Sequence, residues 1–219
     1  YKPIWAAFAA TLIVGTGSSI AGGAGAYFYT YVLGDMKLMS GVSVIGLIAS
    51  LVGIVMGPYL ANRFGKKKVY LTAVIISTAL NLLRLLDVTS MILIYISALI
   101  GGVAGGWMVP VNTSIQADNT TYVQYKTGKR AEAAIASLTS FVSKVAQGLG
   151  GAIPGYVIAA YGFVTGASVQ PESINTGIIL CALILPLIFG ILGLLIFGTQ
   201  YTLDQKAVIE MDAKINRNN

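Results

Sequence analysis

The sequence predicts an all-α integral membrane protein with six transmembrane helices. Of its 219 residues, 56% are hydrophobic and only 10% are charged, whereas soluble domains carry about a quarter charged residues. The 14 basic and 8 acidic residues are also bunched, so that long uncharged intervals lie between them. Because lipid offers no partner for a backbone group, each crossing segment must be helical. The alternating pattern of a membrane barrel is absent.

The long intervals between charge clusters each accommodate one span, because about 20 apolar residues cross the hydrocarbon core. The predicted spans lie near 4–33, 40–61, 69–87, 91–115, 131–162 and 176–199, and they form one bundle within residues 1–200. The third span is short, and Arg84 near its end is expected to reach the membrane interface. Residues 201–219 are predicted to be a cytoplasmic C-terminal tail. The chain begins at Tyr1 without an initiator methionine, so we expect it to be a piece of a longer protein.

The basic residues predict the orientation. With the N-terminus in the cytoplasm, eleven basic residues fall on the inside, against Lys37 and Arg84 on the outside. Both termini are therefore predicted to be cytoplasmic, and the net charge of +6 reports this topology. A nucleic-acid partner is disfavoured because the basic residues are divided among separate loops. The lone Cys181 lies within a span, which excludes a disulfide framework and disfavours a metal cluster.

Small residues in the fourth span predict close helix packing. Gly101 with Gly105 and Gly102 with Gly106 form two overlapping GxxxG patterns, which give a helix a flat face. Trp107 follows near the middle of the helix, and we interpret its ring as cavity-facing, with an interfacial anchor as the alternative. The short basic loop NRFGKKKV between spans two and three is either a positive-inside anchor or a gate segment that holds two helices in one conformational state.

The fifth span contains a charge. Lys144 lies 14 residues after Arg130, which is roughly 21 Å along a helix. A charged lysine at mid-membrane costs about 2.5–3.5 kcal/mol, so it marks a candidate functional site. The alternative is that Lys144 forms a structural ion pair or extends its side chain to the cytoplasmic interface. Polar or small residues share or flank its helix face: Ser137, Thr139, Ser140, Ser143, Gln147, Gly148 and Gly151.

A mixed-charge segment, QADNTTYVQYKTGKRAEAAIASLTSFVSK, leads into this fifth span. We interpret its first part as a cytoplasmic connection whose ion pairs break and re-form when helix bundles rock. The residues of this expected network are Asp118, Lys126, Lys129, Arg130 and Glu132. The nearby spans offer no buried carboxylate for Lys144, so we expect its counter-charge to come from helices outside this chain.

This segment resembles the glycoside–pentoside–hexuronide:cation symporter family, in which A-D-x-x-D-Y-x-x-x-K-x-G-x-R-x-E leads into a helix of the form S-x-x-x-x-x-x-K. The matching residues are Ala117, Asp118, Tyr122, Lys126, Gly128, Arg130, Glu132, Ser137 and Lys144. Thr121 departs from the pattern at the second acidic position, which argues against an ion pair that depends on that carboxylate. The resemblance covers essentially the whole chain.

The resemblance implies the C-terminal six-helix half of a major facilitator superfamily transporter, a cation-coupled sugar symporter of the cell membrane that works by alternating access. Its partners would be a sugar, a monovalent cation, the lipid bilayer and an N-terminal half. The coupling ion, Na⁺ or H⁺, would bind in that missing half, and no other cofactor is implied. Sugar would bind at Trp107, Thr139, Ser140, Ser143 and Lys144, with Lys144 also coupling the cation. The cytoplasmic gate would comprise Asp118, Tyr122, Lys126, Arg130 and Glu132.

Two other hypotheses remain. The same scaffold carrying a lysolipid or another organic anion predicts an apolar cavity, against which the hydroxyls of Thr139, Ser140 and Ser143 argue. A non-transporting membrane scaffold predicts that Lys144 matters only for folding. An enzyme is disfavoured, because the chain has no histidine and no paired intramembrane carboxylates.

Overall fold

A computed structural model describes residues 1–167 and 169–217, and every regular element in these ranges is a helix. The helices are α1 (Lys2–Val32), α2 (Lys37–Phe64), α3 (Lys66–Arg84), α4 (Met91–Thr127), α5 (Glu132–Ala160), α6 (Ser173–Gln200) and α7 (Gln205–Arg217). The last turn of α1 and a middle turn of α6 are π-helical. By length and composition, α1, α2, α4 and α6 are able to cross a membrane. The predicted all-α membrane class is confirmed, and each predicted span coincides with one of α1 to α6.

Helix α4 extends well beyond the predicted end of the fourth span at residue 115. It continues to Thr127 and ends where Gly128 adopts a positive φ of 69°, a conformation that favours glycine at a helix end. Asp118, Tyr122 and Lys126 are therefore helical, and the interpretation of their segment as a loop was wrong. The uncharged interval marks the apolar part of this helix and not its full length.

The predicted tail also contains structure. Helix α7 packs against α4, and its Val208 and Met211 contact the buried core at that end of the bundle. Sequence analysis did not predict this helix, because its 13 residues are polar on average and only one face is apolar. Residues 218 and 219 of the predicted tail lie outside the described part of the chain.

Four of the six long helices pack around the other two, α1 and α4, which are central. Helix α1 contacts α5 and α6, while α4 contacts α2 and α3, and α3 closes the bundle against α6. The two central helices hardly touch each other. A cleft therefore opens between α1 and α4, and residues of α3 and α6 contribute to its wall.

Glycine permits the close approach of α2 and α4. A Cβ added at Gly106 would overlap the backbone of Ser50, and one added at Gly102 would overlap α2 at Gly46. The predicted Gly102–Gly106 packing face is thus confirmed. The second pattern behaves differently, because Gly105 has open space beside it and both Gly101 and Gly105 line cavities. Only the Gly102–Gly106 face is in close backbone contact with another helix, since a Cβ added at Gly101 would meet only the Leu80 side chain of α3, at 3.5 Å.

The bundle has a buried aromatic core at its basic end, which we define as the end that carries the loops at Gly65 and Gly128. Three rings stack there: the Tyr70 and Phe197 centroids are 4.1 Å apart, and the Phe197 and Tyr201 centroids are 4.5 Å apart. A second core fills the opposite end, around Phe28. The polar side chains described below lie between and beside these two apolar cores.

Candidate functional site

A small polar crevice among α1, α4 and α5 contains two of the predicted substrate-binding residues, Thr139 and Ser143. Its volume is about 120 Å³. Other polar side chains that line it are Thr11 of α1, Tyr70 of α3, and Asn112, Gln116 and Asn119 of α4. Asn119 is only 1% exposed, and its Oδ1 has no hydrogen-bond partner among the described residues. Because buried polar atoms are almost always paired in folded proteins, this acceptor suits a donor from a bound water or ligand.

Helical spacing brings these residues together. Asn112, Gln116 and Asn119 are four and three residues apart on α4, and Thr139 and Ser143 are four apart on α5, so each set occupies one helix face. None of the three α4 residues was predicted from the sequence: Gln116 and Asn119 lie beyond residue 115, where the predicted fourth span ended, and Asn112 is an uncharged residue within that span. The signal that could have found them is the recurrence of amides at helical spacing through that boundary.

Lys144 lies on an exposed face of α5, beside the crevice. Ser140, Lys144 and Gln147 are all exposed on this face, as their spacing predicts, and Lys144 Nζ lies 3.5 Å from Gln147 Oε1. No carboxylate with a described side chain lies within ion-pair distance of Lys144. The bundle therefore presents an uncompensated ammonium group together with hydroxyl and amide groups on one surface.

Trp107 lies away from the crevice. It is half-buried and packs against the aromatic core at the basic end, with its indole Nε1 buried and unpaired among the described residues. It precedes Asn112 by five residues, which places it about 140° around the helix from that crevice residue. The structure thus brings Thr139 and Ser143 together and places Ser140 and Lys144 on the adjoining face, but it does not bring Trp107 to the same cavity.

Two lysines of the basic loop fasten α3 to its neighbours. Lys66 Nζ donates a 2.6 Å hydrogen bond to Oδ1 of Asp118 on α4, which is only 6% exposed. Lys67 Nζ donates a 2.8 Å hydrogen bond to the carbonyl of Gly198 on α6. Burial, and to a lesser degree the charge of Asp118, raise the pKa of the nearby Tyr201. These two bonds hold the ends of α3, α4 and α6 together within the bundle.

The expected ion-pair network of Asp118, Lys126, Lys129, Arg130 and Glu132 is not formed within the described part of the chain. Asp118 pairs with Lys66 of α3 instead of a basic residue of its own segment, so the expected pairing was wrong. Tyr122 packs edge-on against the Tyr1 ring, with centroids 6.5 Å apart. The other three predicted gate residues, Lys126, Arg130 and Glu132, are exposed beside the α4–α5 connection.

Comparisons with known proteins agree with this architecture. The profile of the family described as "MFS/sugar transport protein" matches residues 1–205. The chain is 31% identical over 204 residues to the "Glucuronide carrier protein homolog" of Escherichia coli (strain K12), an alignment that covers 89% of this chain and 44% of that protein.

Two further relatives have related names. A "Putative sulfoquinovose importer" of Escherichia coli (strain K12) is 25% identical over 191 residues, which cover 87% of this chain and 41% of that protein. The "Isoprimeverose transporter" of Lactiplantibacillus pentosus is 28% identical over 154 residues, or 68% of this chain and 31% of that protein. The chain spans less than half the length of these curated relatives. With a profile match that extends over residues 1–205, this all-helical chain belongs to the MFS/sugar transport protein family.

Proposed function

We propose that this chain is the C-terminal six-helix half of a cation-coupled sugar symporter of the cell membrane, with both termini in the cytoplasm. The family match and the transporter names of the relatives support sugar transport over catalysis. The length of those relatives supports a second half that completes the transport path. The coupling ion, Na⁺ or H⁺, would bind chiefly to acidic residues of that second half.

One observation carries the proposal: the crevice with Thr139 and Ser143 adjoins the exposed α5 face that presents Ser140 and Lys144. Hydroxyl and amide groups suit the hydroxyl-rich surface of a sugar. The crevice, at about 120 Å³, is smaller than most ligand pockets, which measure about 300–1,000 Å³. This half would therefore supply one wall of the site, and a facing half would supply the remainder.

Lys144 would couple the two substrates. An ammonium group inside the membrane needs an opposite charge, and this half offers none within reach among the described side chains. Carboxylates of the facing half would meet Lys144 when the cation is absent and bind the cation when it is present. Sugar affinity would then depend on the cation through a reciprocal coupling of about 1–3 kcal/mol.

Alternating access would follow from rocking of the two halves about this site. The Lys66–Asp118 ion pair and the bond from Lys67 to Gly198 lie within this half. They would therefore stiffen the half so that it moves as one body. The exposed residues of the α4–α5 connection, Lys126, Arg130 and Glu132, would form the contacts with the facing half that break and re-form.

Gradient-driven sugar uptake by the full-length protein in proteoliposomes tests this function. Lys144→Ala is expected to abolish sugar accumulation driven by a Na⁺ or H⁺ gradient, while Lys144→Arg retains part of it. Lys37→Ala, which removes an exposed charge at the end of the bundle opposite the basic end, serves as the control. Unchanged coupled uptake by Lys144→Ala at matched protein content would remove Lys144 from the mechanism, and no sugar uptake by the wild type would contradict the proposed function.

A further inference from the structure

Helix α3 carries a polar stripe that the proposed sugar and cation sites do not use. Ser77, Asn81 and Arg84 lie at positions i, i+4 and i+7 and therefore share one helix face. The opposite face is apolar and outward, with Ile75 53% and Leu82 57% exposed. Since polar groups in a membrane helix face the protein interior or water, the stripe points away from lipid. The sequence predicted that the Arg84 side chain extends to the membrane interface. In the structure this side chain lies on the bundle-facing side of α3.

This stripe borders two neighbouring cavities. One cavity, of about 400 Å³, lies between α1 and α4, and a second, of about 240 Å³, leads to the end of the bundle opposite the basic end. Ser77 and Asn81 line both cavities, so the two cavities are adjacent. The first cavity also has Ser18 of α1 in its wall. The two cavities thus lie in succession between the cleft of the central helices and the opposite end of the bundle.

Arg84 lines the second of these cavities and has no charged partner among the described side chains. Its guanidinium carbon is 5.0 Å from the centroid of the Phe28 ring, and its Nε is buried with no hydrogen-bond partner in the part of the chain that the structure describes. No carboxylate with a described side chain pairs with it. The acidic residues of the adjacent loops are engaged locally, since Asp35 accepts from the backbone of Lys37 and Asp87 accepts from Thr89.

The surroundings of Arg84 suit an anion. Tyr29 of α1 and Ser97 of α4 line the same cavity and supply hydroxyl donors, and Asn81 supplies an amide. A guanidinium binds a planar or tetrahedral oxyanion through two parallel hydrogen bonds. A half-buried cation without a counter-ion carries an uncompensated desolvation cost, which a bound anion removes. The ring of Phe28 offsets only part of that cost.

We propose that Arg84, with Tyr29 and Ser97, binds an oxyanion carried by the transported sugar: a carboxylate, sulfonate or phosphate group. The inference rests on the proposed sugar transport and deepens it, because it names acidic sugars as the preferred substrate class. This subsite is separate from the Lys144 face, since it lies on α3 and not on α5. The sugar would meet Arg84 between the opposite end of the bundle and the central cleft.

Transport by the full-length protein in phosphatidylcholine vesicles tests the subsite with two probes, methyl glucoside and methyl glucuronide, which differ only by the carboxylate at C6. Arg84→Gln is expected to raise KM for the glucuronide about tenfold or more, the loss expected for one charge-assisted hydrogen bond. The KM for the glucoside stays within about twofold, and Arg84→Lys recovers part of the loss. Lys37→Gln removes a charge from the same end of the bundle outside this cavity and is expected to change neither.

Three results would overturn the subsite: an equal loss for both probes, no loss for either, or a loss that appears only when anionic lipid is added to the vesicles. The last result would assign Arg84 to a lipid headgroup. Should Arg84→Gln not fold, Tyr29→Phe removes one hydroxyl and keeps the ring, and it is expected to raise KM for the glucuronide alone.

Thermal stabilisation of the purified full-length protein separates this inference from the proposed function. Methyl glucuronide is expected to raise Tm of the wild type and not of Arg84→Gln. If methyl glucuronide stabilises only the wild type but neither probe is taken up, sugar transport is contradicted and the anion site is supported. Uptake of both probes, with equal stabilisation of wild type and variant by the glucuronide, would contradict the anion site and retain sugar transport.

Discussion

Lys66 and Asp118 are 52 residues apart in the sequence, yet Nζ of the first lies 2.6 Å from Oδ1 of the second. The carboxylate lies in the final turns of α4, beyond the apolar part of that helix, and the ammonium group lies in the first turn of α3. Their pairing closes the basic end of the bundle over the aromatic core. A buried carboxylate at this position is tolerated because a specific cation from another helix compensates its charge.

Removal of the lysine is therefore expected to destabilise the protein more than removal of the pair. Lys66→Gln leaves Asp118 buried without a counter-charge and should cost about 3 kcal/mol of unfolding free energy. Lys66→Gln combined with Asp118→Asn should recover at least about 1 kcal/mol of that loss. Thermal unfolding of the detergent-purified full-length protein measures both effects.

Lys68→Gln is the matched control for this ion pair, because it removes an exposed lysine from the same loop. It should change Tm little, since exposed charges contribute about 0–1 kcal/mol. Additive effects of the two substitutions at Lys66 and Asp118 would show that the pair contributes no coupling energy.

The two adjacent glycines of α4 are expected to respond differently to the same substitution. Gly106→Ala places a methyl group against the Ser50 backbone of α2 and should cost about 1–3 kcal/mol through forced separation of the helices. Gly105→Ala places the same group in open space and should change stability little. Comparison of the two unfolding temperatures checks this difference, and equal values would contradict the close α2–α4 packing.

The sequence predicted the helices more accurately than their ends. Uncharged intervals identify where apolar helix exists, because charge in lipid is costly, and each predicted span coincides with a helix. On the same basis the fourth span was predicted to end at residue 115, although α4 continues to Thr127. Charges and amides are tolerated in a helix once it leaves the apolar region, so charge marks the limit of the apolar region and does not mark the end of the helix.

The candidate site was predicted only where local spacing determines it. The exposed α5 face with Ser140 and Lys144 follows from helical periodicity and is present. The Lys66–Asp118 pair and the amides Asn112 and Asn119 depend on how separate helices meet, which a single sequence does not specify. The position of Trp107 also depends on the rotation of α4 relative to its neighbours.

Side chains of the crevice should contribute unequally to sugar binding. Ser143→Ala and Asn112→Ala each remove a polar group that faces the crevice and should raise KM for the sugar about three- to tenfold. Thr139→Val should have a smaller effect, because the Thr139 hydroxyl already donates a 2.8 Å hydrogen bond to the carbonyl of Ile135. Sugar uptake by the full-length protein gives these constants.

Thr113→Ala is the control for the crevice, since Thr113 is exposed and its hydroxyl bonds the carbonyl of Val109. Its KM should equal that of the wild type. A larger increase in KM for Thr139→Val than for Ser143→Ala would place the sugar elsewhere on α5.

The docking of α7 on α4 is expected to depend on its apolar face. Val208 and Met211 pack against the core, and their replacement by aspartate buries two unpaired charges, so α7 should leave the bundle. Ile209→Asp changes a neighbouring residue that is 61% exposed and should leave α7 in place. Limited trypsin digestion at Lys206 and Lys214 measures the release, because a protease cuts a detached segment faster than a docked one. Equal digestion of the two variants would show that α7 does not depend on this face for docking.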